Sequence, residues 1–544
     1  MAPKTSDPYS GRSNPLTRRN LLIGAGVGAL GLVASNKVSR LATGADMAYA
    51  AASSADWVDL SRQIRGSLLM PDSPDYPVAR LAWNTIYDDV FPQAVLLAAD
   101  ASDVQKAITF CQDLGIRPVP RSGGHSFQGF STGTGLIIDL SRLNRVQLRA
   151  DRERVSIGAG AQLIDIYARL FTQHRMAIPG GTCPLVGISG LTQGGGIGPF
   201  SRQYGLTLDR LLGAEIVTAD GRRRWVDAGN EPDLFWAIRG GGGGNFGIVT
   251  SFTFAPVPAD MTLTSLTLTF AWRDAARVLA AFQEWPEVLP RTAHPNLVLV
   301  TSDRAPNAQP TATVTLWYRG PRQKADAAVR QFIRQVGAQP MTRTLLRQNF
   351  FEAEYDTYCQ GLTWTQCGPV TSPGGTLPRV GLATYSDIST DPWPAVANDV
   401  LVDELERWQQ DPLLQPDGVP YTLQAGKVII EPLSGAVHDT PASATAFPHR
   451  SGWLVYQFQS RVRPGAPAEV VAAGQEWVSN LYARLTPWRT GAEYSNYGNR
   501  MLGNWAQAYY AGNLPRLREI KAQVDPKHLF HFEQSIRPQV KGQN

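Results

Sequence analysis

The chain has 544 residues, 43% of them hydrophobic and 18% charged. At roughly 150 residues per domain that is room for three or four domains with a large core, which excludes a disordered chain, a collagen and a small disulfide scaffold. Lysine plus arginine (51) exceeds aspartate plus glutamate (46) by five, a surplus that invites a nucleic-acid or membrane partner. Its location removes that reading. Lys4, Arg12, Arg18, Arg19, Lys37 and Arg40 stand against Asp7 and Asp46, so residues beyond 50 carry 45 basic and 44 acidic side chains. A nearly neutral remainder gives no support to a nucleic-acid partner.

The first fifty residues read as an export address. Arg18-Arg19 directly precede an apolar run over residues 21–34, short of the roughly 20 residues that span a bilayer. Lys37 and Arg40 follow, and Ala48-Tyr49-Ala50 forms a small-residue cleavage pattern. Together they resemble a twin-arginine signal, which predicts a periplasmic or extracellular protein with no stable membrane anchor after cleavage. Gly26-Val-Gly28-Ala-Leu-Gly31 matches GxGxxG, but no strand precedes it and no βαβ unit follows, so the match is spurious.

Beyond residue 50 there is no internal repeat or low-complexity linker. Residues 92–120 read as strand, helix, strand, with Ser102 capping the helix and Gly115 stopping it. A strand over Gly135–Leu140, a second at VSIGAG and a helix over 162–174 follow. From about residue 262 the texture changes to alternating runs, LTSLTLTF, LVLVTS and ATVTLWY, typical of half-buried antiparallel strands. DAARVLAAFQEW and KADAAVRQFIRQVG between them read as helices, and LPRLREIKAQV as an amphipathic helix stopped by Asp525-Pro526. The predicted class is α+β. Of four cysteines, Cys359 and Cys367 are close enough for one local disulfide, with two ordinary thiols an equal alternative; no metal-ligand ladder is present.

Three glycine-rich segments stand out: Arg121-Ser-Gly-Gly-His125-Ser, Gly180 to Gly198 with Cys183 inside it, and five glycines from Gly240 to Gly244 followed by Asn245-Phe-Gly-Ile-Val249. Bare backbone lets successive N–H groups converge on a phosphate. The first segment alone is equally a tight turn with an incidental histidine. Three in one region exceed what turns require.

RSGGHS, GGTCPLVGISGLTQGGGIG and DLFWAIRGGGGGNFGIVT resemble the flavin-binding half of berberine-bridge-enzyme-like oxidases, bacterial members included, in the vanillyl-alcohol-oxidase or PCMH-type FAD superfamily. Tyr494-Ser-Asn496-Tyr497, Tyr509-Tyr510-Ala-Gly-Asn513, Gln534-Ser-Ile536 and Glu431-Pro-Leu-Ser-Gly435 with Phe447-Pro-His-Arg450 extend the resemblance over most of residues 75–537. The resemblance implies a two-part FAD-binding domain (51–260 and 481–544) around a substrate domain (261–480) with an antiparallel sheet flanked by helices. It implies a bicovalent FAD, His125 bonding the flavin 8α-methyl carbon and Cys183 bonding C6. Arg121, Ser122, Gly123, Gly124, Ser126, Val186, Gly187, Gly190, Gly194, Gly195, Val249 and Asn496 would contact the cofactor.

The resemblance makes Tyr497 the base, with Tyr494 beside it and Gln457 lining the site; Gln459, of the same strand parity, is the alternative. A tyrosine of ordinary pKa near 10 needs activation by the site. Val186 stands where a small residue leaves room for dioxygen, which implies an oxidase making hydrogen peroxide. The substrate would be a small molecule, an alcohol or hemiacetal of a carbohydrate or of a glycosylated secondary metabolite. A dehydrogenase with another acceptor and a non-catalytic flavin-binding protein are the alternatives. Trp364, Trp393 and Trp453 read as core in preference to sugar platforms, and His438 and His449 as structural.

Overall fold

The computed structural model describes residues 52–303, 308–416 and 418–539. The export address, the GxGxxG decoy and the cleavage pattern lie outside them. Among the described residues three sheets carry the architecture, and the class is α+β.

In the first sheet the strand Ala94–Leu97 leads into the helix Ala101–Leu114 and on to the strand Pro118–Arg121. The strand Leu136–Asp139 lies between those two strands, parallel to both, and Ser67–Leu69 adds an antiparallel edge. The helix starts two residues earlier than its sequence suggests. Asp100, not Ser102, is the N-cap, its carboxylate accepting from the backbone N–H of Ser102 and Asp103, and a carboxylate there also suits the positive end of the helix dipole. Gly115 ends the helix at φ 65°, as a residue without Cβ does at little cost. A second, five-stranded antiparallel sheet runs in the order Val146–Leu148, Val155–Gly158, Ile248–Phe254, Leu211–Val217, Arg223–Asp227.

The third sheet has seven antiparallel strands ordered Thr342–Gln348, Leu263–Phe270, Thr311–Arg319, Ala293–Val300, Ala425–Pro432, Leu454–Val462, Gly381–Ser389. Its period-two pattern sorts the side chains. Leu266, Leu268, Leu297, Leu299, Val314, Leu316, Val428, Ile430, Tyr456 and Phe458 are buried in the core, where helices Ala275–Val288, Arg322–Val336, Ala395–Gln410 and Ala468–Arg484 pack. Trp285 stacks on Phe332 at 4.4 Å and Trp393 on Tyr456 at 4.0 Å, so Trp393 is core. The opposite parity carries polar residues, and these face a cavity instead of solvent.

The C-terminal helix Leu514–Val524 packs back against the helix Pro232–Ala237. Lys521 on it is fully buried, donating from Nζ to the carbonyls of Asn245 (2.5 Å) and Phe530 (2.8 Å) and to Asp525 Oδ2 (2.6 Å). Removing one partner of a buried pair leaves an uncompensated charge, which costs about 3–5 kcal/mol. Lys521→Met is therefore expected to lose roughly 3 kcal/mol or more of unfolding free energy, measured by denaturant titration of the purified protein; a loss under roughly 1 kcal/mol would show the pair to be dispensable. Cys359 and Cys367 are joined in a disulfide at the end of the helix Phe350–Cys359.

Candidate active site

A cavity of ≈ 830 Å³ opens between the glycine loops and the polar face of the seven-stranded sheet. All three glycine-rich segments reach it: Arg121 to Ser126, Gly181 to Gly190, and Gly242 to Val249. The loops meet closely, since a Cβ on Gly123 would lie 2.5 Å from Gly187 N, and one on Gly187 would lie 2.2 Å from Gly123 N. By contrast, a Cβ on Gly190 would meet nothing within 4 Å, so it would fill a cradle that the bare backbone leaves free. Gly124 at φ 69° and Gly242 at φ 82° hold turns that disfavour any side chain. Between Gly187 and Gly195 the second loop forms a short helix, Ile188–Gly194, which its glycine content hid from the sequence pattern because glycine is a poor helix former.

His125 and Cys183 come together at this junction. Cys183 Sγ lies 3.4 Å from His125 Nε2, and Trp83 stacks on the imidazole at 4.0 Å. Burial lowers the His125 pKa to about 4 and raises that of the Cys183 thiol to about 11, so both side chains are neutral near pH 7. Ser122 donates to Ala159 O at 2.5 Å, and Ser126 Oγ accepts from Phe130 N at 3.1 Å. Arg121 donates to the carbonyls of Ser131, Ala79 and Arg80, so its guanidinium braces the loop. Val186 and Val249 line the cavity.

The C-terminal turn is held from both sides. Gln128 donates to Ser495 O at 2.8 Å, and Thr384 on the sheet donates to Tyr497 O at 3.0 Å. Tyr497 Oη then donates to Glu431 Oε2 at 3.3 Å. Burial and the neighbouring Glu431 carboxylate push Tyr497 well above the ordinary tyrosine value; burial pushes Glu431 above the usual carboxylate range. Tyr494 does a different job. Its hydroxyl accepts from Gly196 N (2.8 Å) and Asn496 Nδ2 (2.9 Å), and it is 1% exposed, so it pins the glycine loop. Gly194 and Gly195, expected against the cofactor, do not line the cavity. A Cβ on Gly194 would lie 2.2 Å from Asn496 Oδ1, and one on Gly195 2.9 Å from Tyr494 Cε2. They make room for the turn that carries Tyr497.

Gln457 and Gln459 both face the cavity, as their shared parity requires. Gln457 Nε2 is buried without a hydrogen-bond partner among the described residues. Trp453 donates to Gln283 O and Trp364 packs against Tyr355; the indoles at the cavity are Trp83 and Trp317. His438 and His449 bond backbone carbonyls of Gly452 and Tyr509. Arg450 forms a two-pronged pair with Asp209 at 2.7 and 2.8 Å, tying the FPHR segment to the turn Thr207–Arg210. Sequence reasoning missed Glu431 as a working group, and missed Lys427, Arg461 and Tyr358 at the wall. The signal was parity: 427, 429 and 431 share one face, as do 457, 459 and 461.

The paired glycine loops, the open cradle at Gly190 and the orphaned Gln457 amide fit a large planar cofactor with a pyrophosphate. Residues 92–227 match the model of an FAD binding domain, and residues 493–537 match one described as berberine and berberine like. The chain is an FAD-linked oxidoreductase. Over 486 residues it is 31% identical to the uncharacterized FAD-linked oxidoreductase YgaK of Bacillus subtilis (strain 168), covering 88% of this chain and 98% of that one. It is 28% identical over 476 residues to the monolignol oxidoreductase AtBBE-like 13 of Arabidopsis thaliana, covering 82% and 84%. A chitooligosaccharide oxidase shares the fold with a TM-score of 0.76 at 24% identity, over 89% of this chain and 100% of that one. The chain belongs to the berberine-bridge-enzyme-like family of FAD-linked oxidoreductases.

Proposed function

We propose that the protein is an exported oxidase that takes hydride from an alcohol or hemiacetal carbon of a carbohydrate or glycosylated secondary metabolite and passes the electrons to dioxygen, giving hydrogen peroxide. The observation that carries this reading is the Tyr497–Glu431 hydrogen bond, set in a cavity whose other wall is the glycine cradle with His125 and Cys183. His125 and Cys183 would hold FAD covalently, with Gly123, Gly124, Gly187 and Gly190 against it. FAD, when bound, supplies the hydride acceptor.

The protein's own part is proton transfer and positioning. The substrate hydroxyl donates to Tyr497 Oη; as the C–H bond breaks, that proton passes to Tyr497 while the tyrosine proton passes to Glu431 Oε2. No free tyrosinate is required, which matters because burial opposes one. Gln457 and Gln459 supply amide groups that orient neighbouring hydroxyls. Val186 supports dioxygen as acceptor by keeping the wall small. The monolignol oxidoreductase and the chitooligosaccharide oxidase to which the chain is similar act on substrates of the alcohol and carbohydrate kind. Residues 1–50 support twin-arginine export, a route that carries proteins folded around a cofactor; the secreted form is then expected to begin near residue 51.

The test is anaerobic mixing of purified protein with mono- and oligosaccharides and with glycosylated polyketides, followed by air. The flavin absorbance should bleach with a substrate and return with about one peroxide per flavin. Reduced flavin that persists in air would show a dehydrogenase, and flavin that no candidate bleaches would favour a binding protein.

A further inference from the structure

Lys427 and Arg461 line the same cavity, on adjacent strands of the sheet. Ala425 pairs with Arg461 and Lys427 with Gln459, which makes the two cations diagonal neighbours on one face. Among the described residues neither side chain has a hydrogen bond or an ion pair. The acids of the wall are engaged elsewhere: Glu431 accepts from Tyr497, and Asp356 accepts from Gln348 Nε2 at 2.6 Å. Two adjacent cations with no directly paired counter-ion, Glu431 acting on Lys427 only through its field, are unfavourable in a partly enclosed cavity until an anion joins them.

Their position is fixed relative to the reaction. Lys427 and Glu431 are four residues apart on an extended strand, about 13 Å at roughly 3.3 Å per residue, with Ile429 on the same face between them. One end of the cavity therefore offers an acceptor for a hydroxyl proton, and the other offers an ammonium and a guanidinium. We propose that Lys427 and Arg461 are specificity-determining residues that bind a carboxylate carried by the substrate at the end remote from its reacting carbon, so that the preferred substrate is an acidic oligosaccharide or acidic glycoside. Burial and the Arg461 charge lower Lys427 to about 7, so the pair carries between one and two positive charges near pH 7, suited to a singly charged anion. The inference rests on the hydride-transfer reading only for the direction in which the substrate lies.

The experiment compares cellotriose with its derivative oxidised to the carboxylate at C6 of the non-reducing glucose, using holoenzyme. Binding is measured by calorimetry and flavin bleaching is followed anaerobically in the same preparation. The carboxylate form should bind at least about tenfold more tightly, equivalent to ~1.4 kcal/mol. That ratio should fall to about one in Lys427→Gln/Arg461→Gln and survive in part in Arg461→Lys, which keeps the charge. No preference for the carboxylate form, including no binding of either sugar, overturns the proposal, as does a preference that persists in the double variant. Carboxylate-dependent binding without bleaching would instead uphold the anion site and contradict the hydride-transfer reading for these sugars.

Discussion

Replacing Tyr497 by Phe is expected to slow flavin reduction by about 10²–10⁴-fold, the range that a positioned general base contributes, while leaving the substrate dissociation constant nearly unchanged. Only the hydroxyl is lost, and the ring keeps its edge contact with Tyr494 (centroids 4.8 Å apart) and its stacking on Phe127 (6.1 Å). Anaerobic stopped-flow reduction at several substrate concentrations separates the two quantities. A variant that reduces its flavin within about threefold of the parent, far short of that 10²-fold minimum, would remove Tyr497 from the chemistry. Tyr494→Phe makes the contrast. It removes the acceptor for Gly196 N–H and Asn496, so its effect falls on the position of the loop and the turn, with a rise in dissociation constant as well as a slower rate.

The second large effect is at Glu431. Below its pKa the carboxyl keeps its own proton and cannot take one from Tyr497; above it the carboxylate accepts. Reduction should therefore quicken as pH rises through the Glu431 pKa. Burial raises that pKa, which places the limb above the ordinary glutamate value near 4.3. His294 Nε2 lies 4.0 Å from Glu431 Oε1, and burial lowers the histidine to about 3, so it supplies no charge to reverse the shift. Glu431→Gln preserves size and hydrogen bonding but removes the proton acceptor. It should lower reduction by about 10²-fold and abolish the limb. A pH profile of flavin reduction for parent and variant checks both, and a limb that survives in the variant would assign the titration to another group.

Much of this was legible in the chain itself, for reasons that differ between the two halves. The alternation in LTSLTLTF and ATVTLWY reports a sheet whose faces differ, and Leu266, Leu268, Val314 and Leu316 are core as that pattern requires. It does not report what covers the other face. Thr267, Asn296 and Lys427 look solvent-facing in sequence, yet they line a cavity because the glycine loops of the flavin half close over them. The clustering of three glycine segments was visible as a surplus of bare backbone. Which glycines serve a ligand and which serve a neighbour was not, because Gly194 and Gly195 are emptied by Asn496 and Tyr494, some 300 residues further along the chain.

The Tyr497–Glu431 pair was hidden for the same reason. A tyrosine in a C-terminal turn and a glutamate in a strand 66 residues earlier share no local pattern, and only the sheet register with Thr384 holding the turn brings them within reach. Parity would have sufficed to place Lys427 and Glu431 on the face of Ile429, had the charged residues of an otherwise apolar strand been weighed as a group. The cap at Asp100 shows a smaller version of the effect: two candidates two residues apart compete, and the carboxylate that reaches two backbone N–H groups wins.

In the proposed enzyme, one FAD is tethered at the junction of the glycine loops by both His125 and Cys183. A proteolytic digest of denatured wild-type protein, with its yellow peptides sequenced by mass spectrometry, tests this directly. A single species containing the peptide of His125, the peptide of Cys183 and one FAD is the predicted result. Flavin that separates freely from the chain on denaturation, leaving both peptides at their unmodified masses, would contradict it.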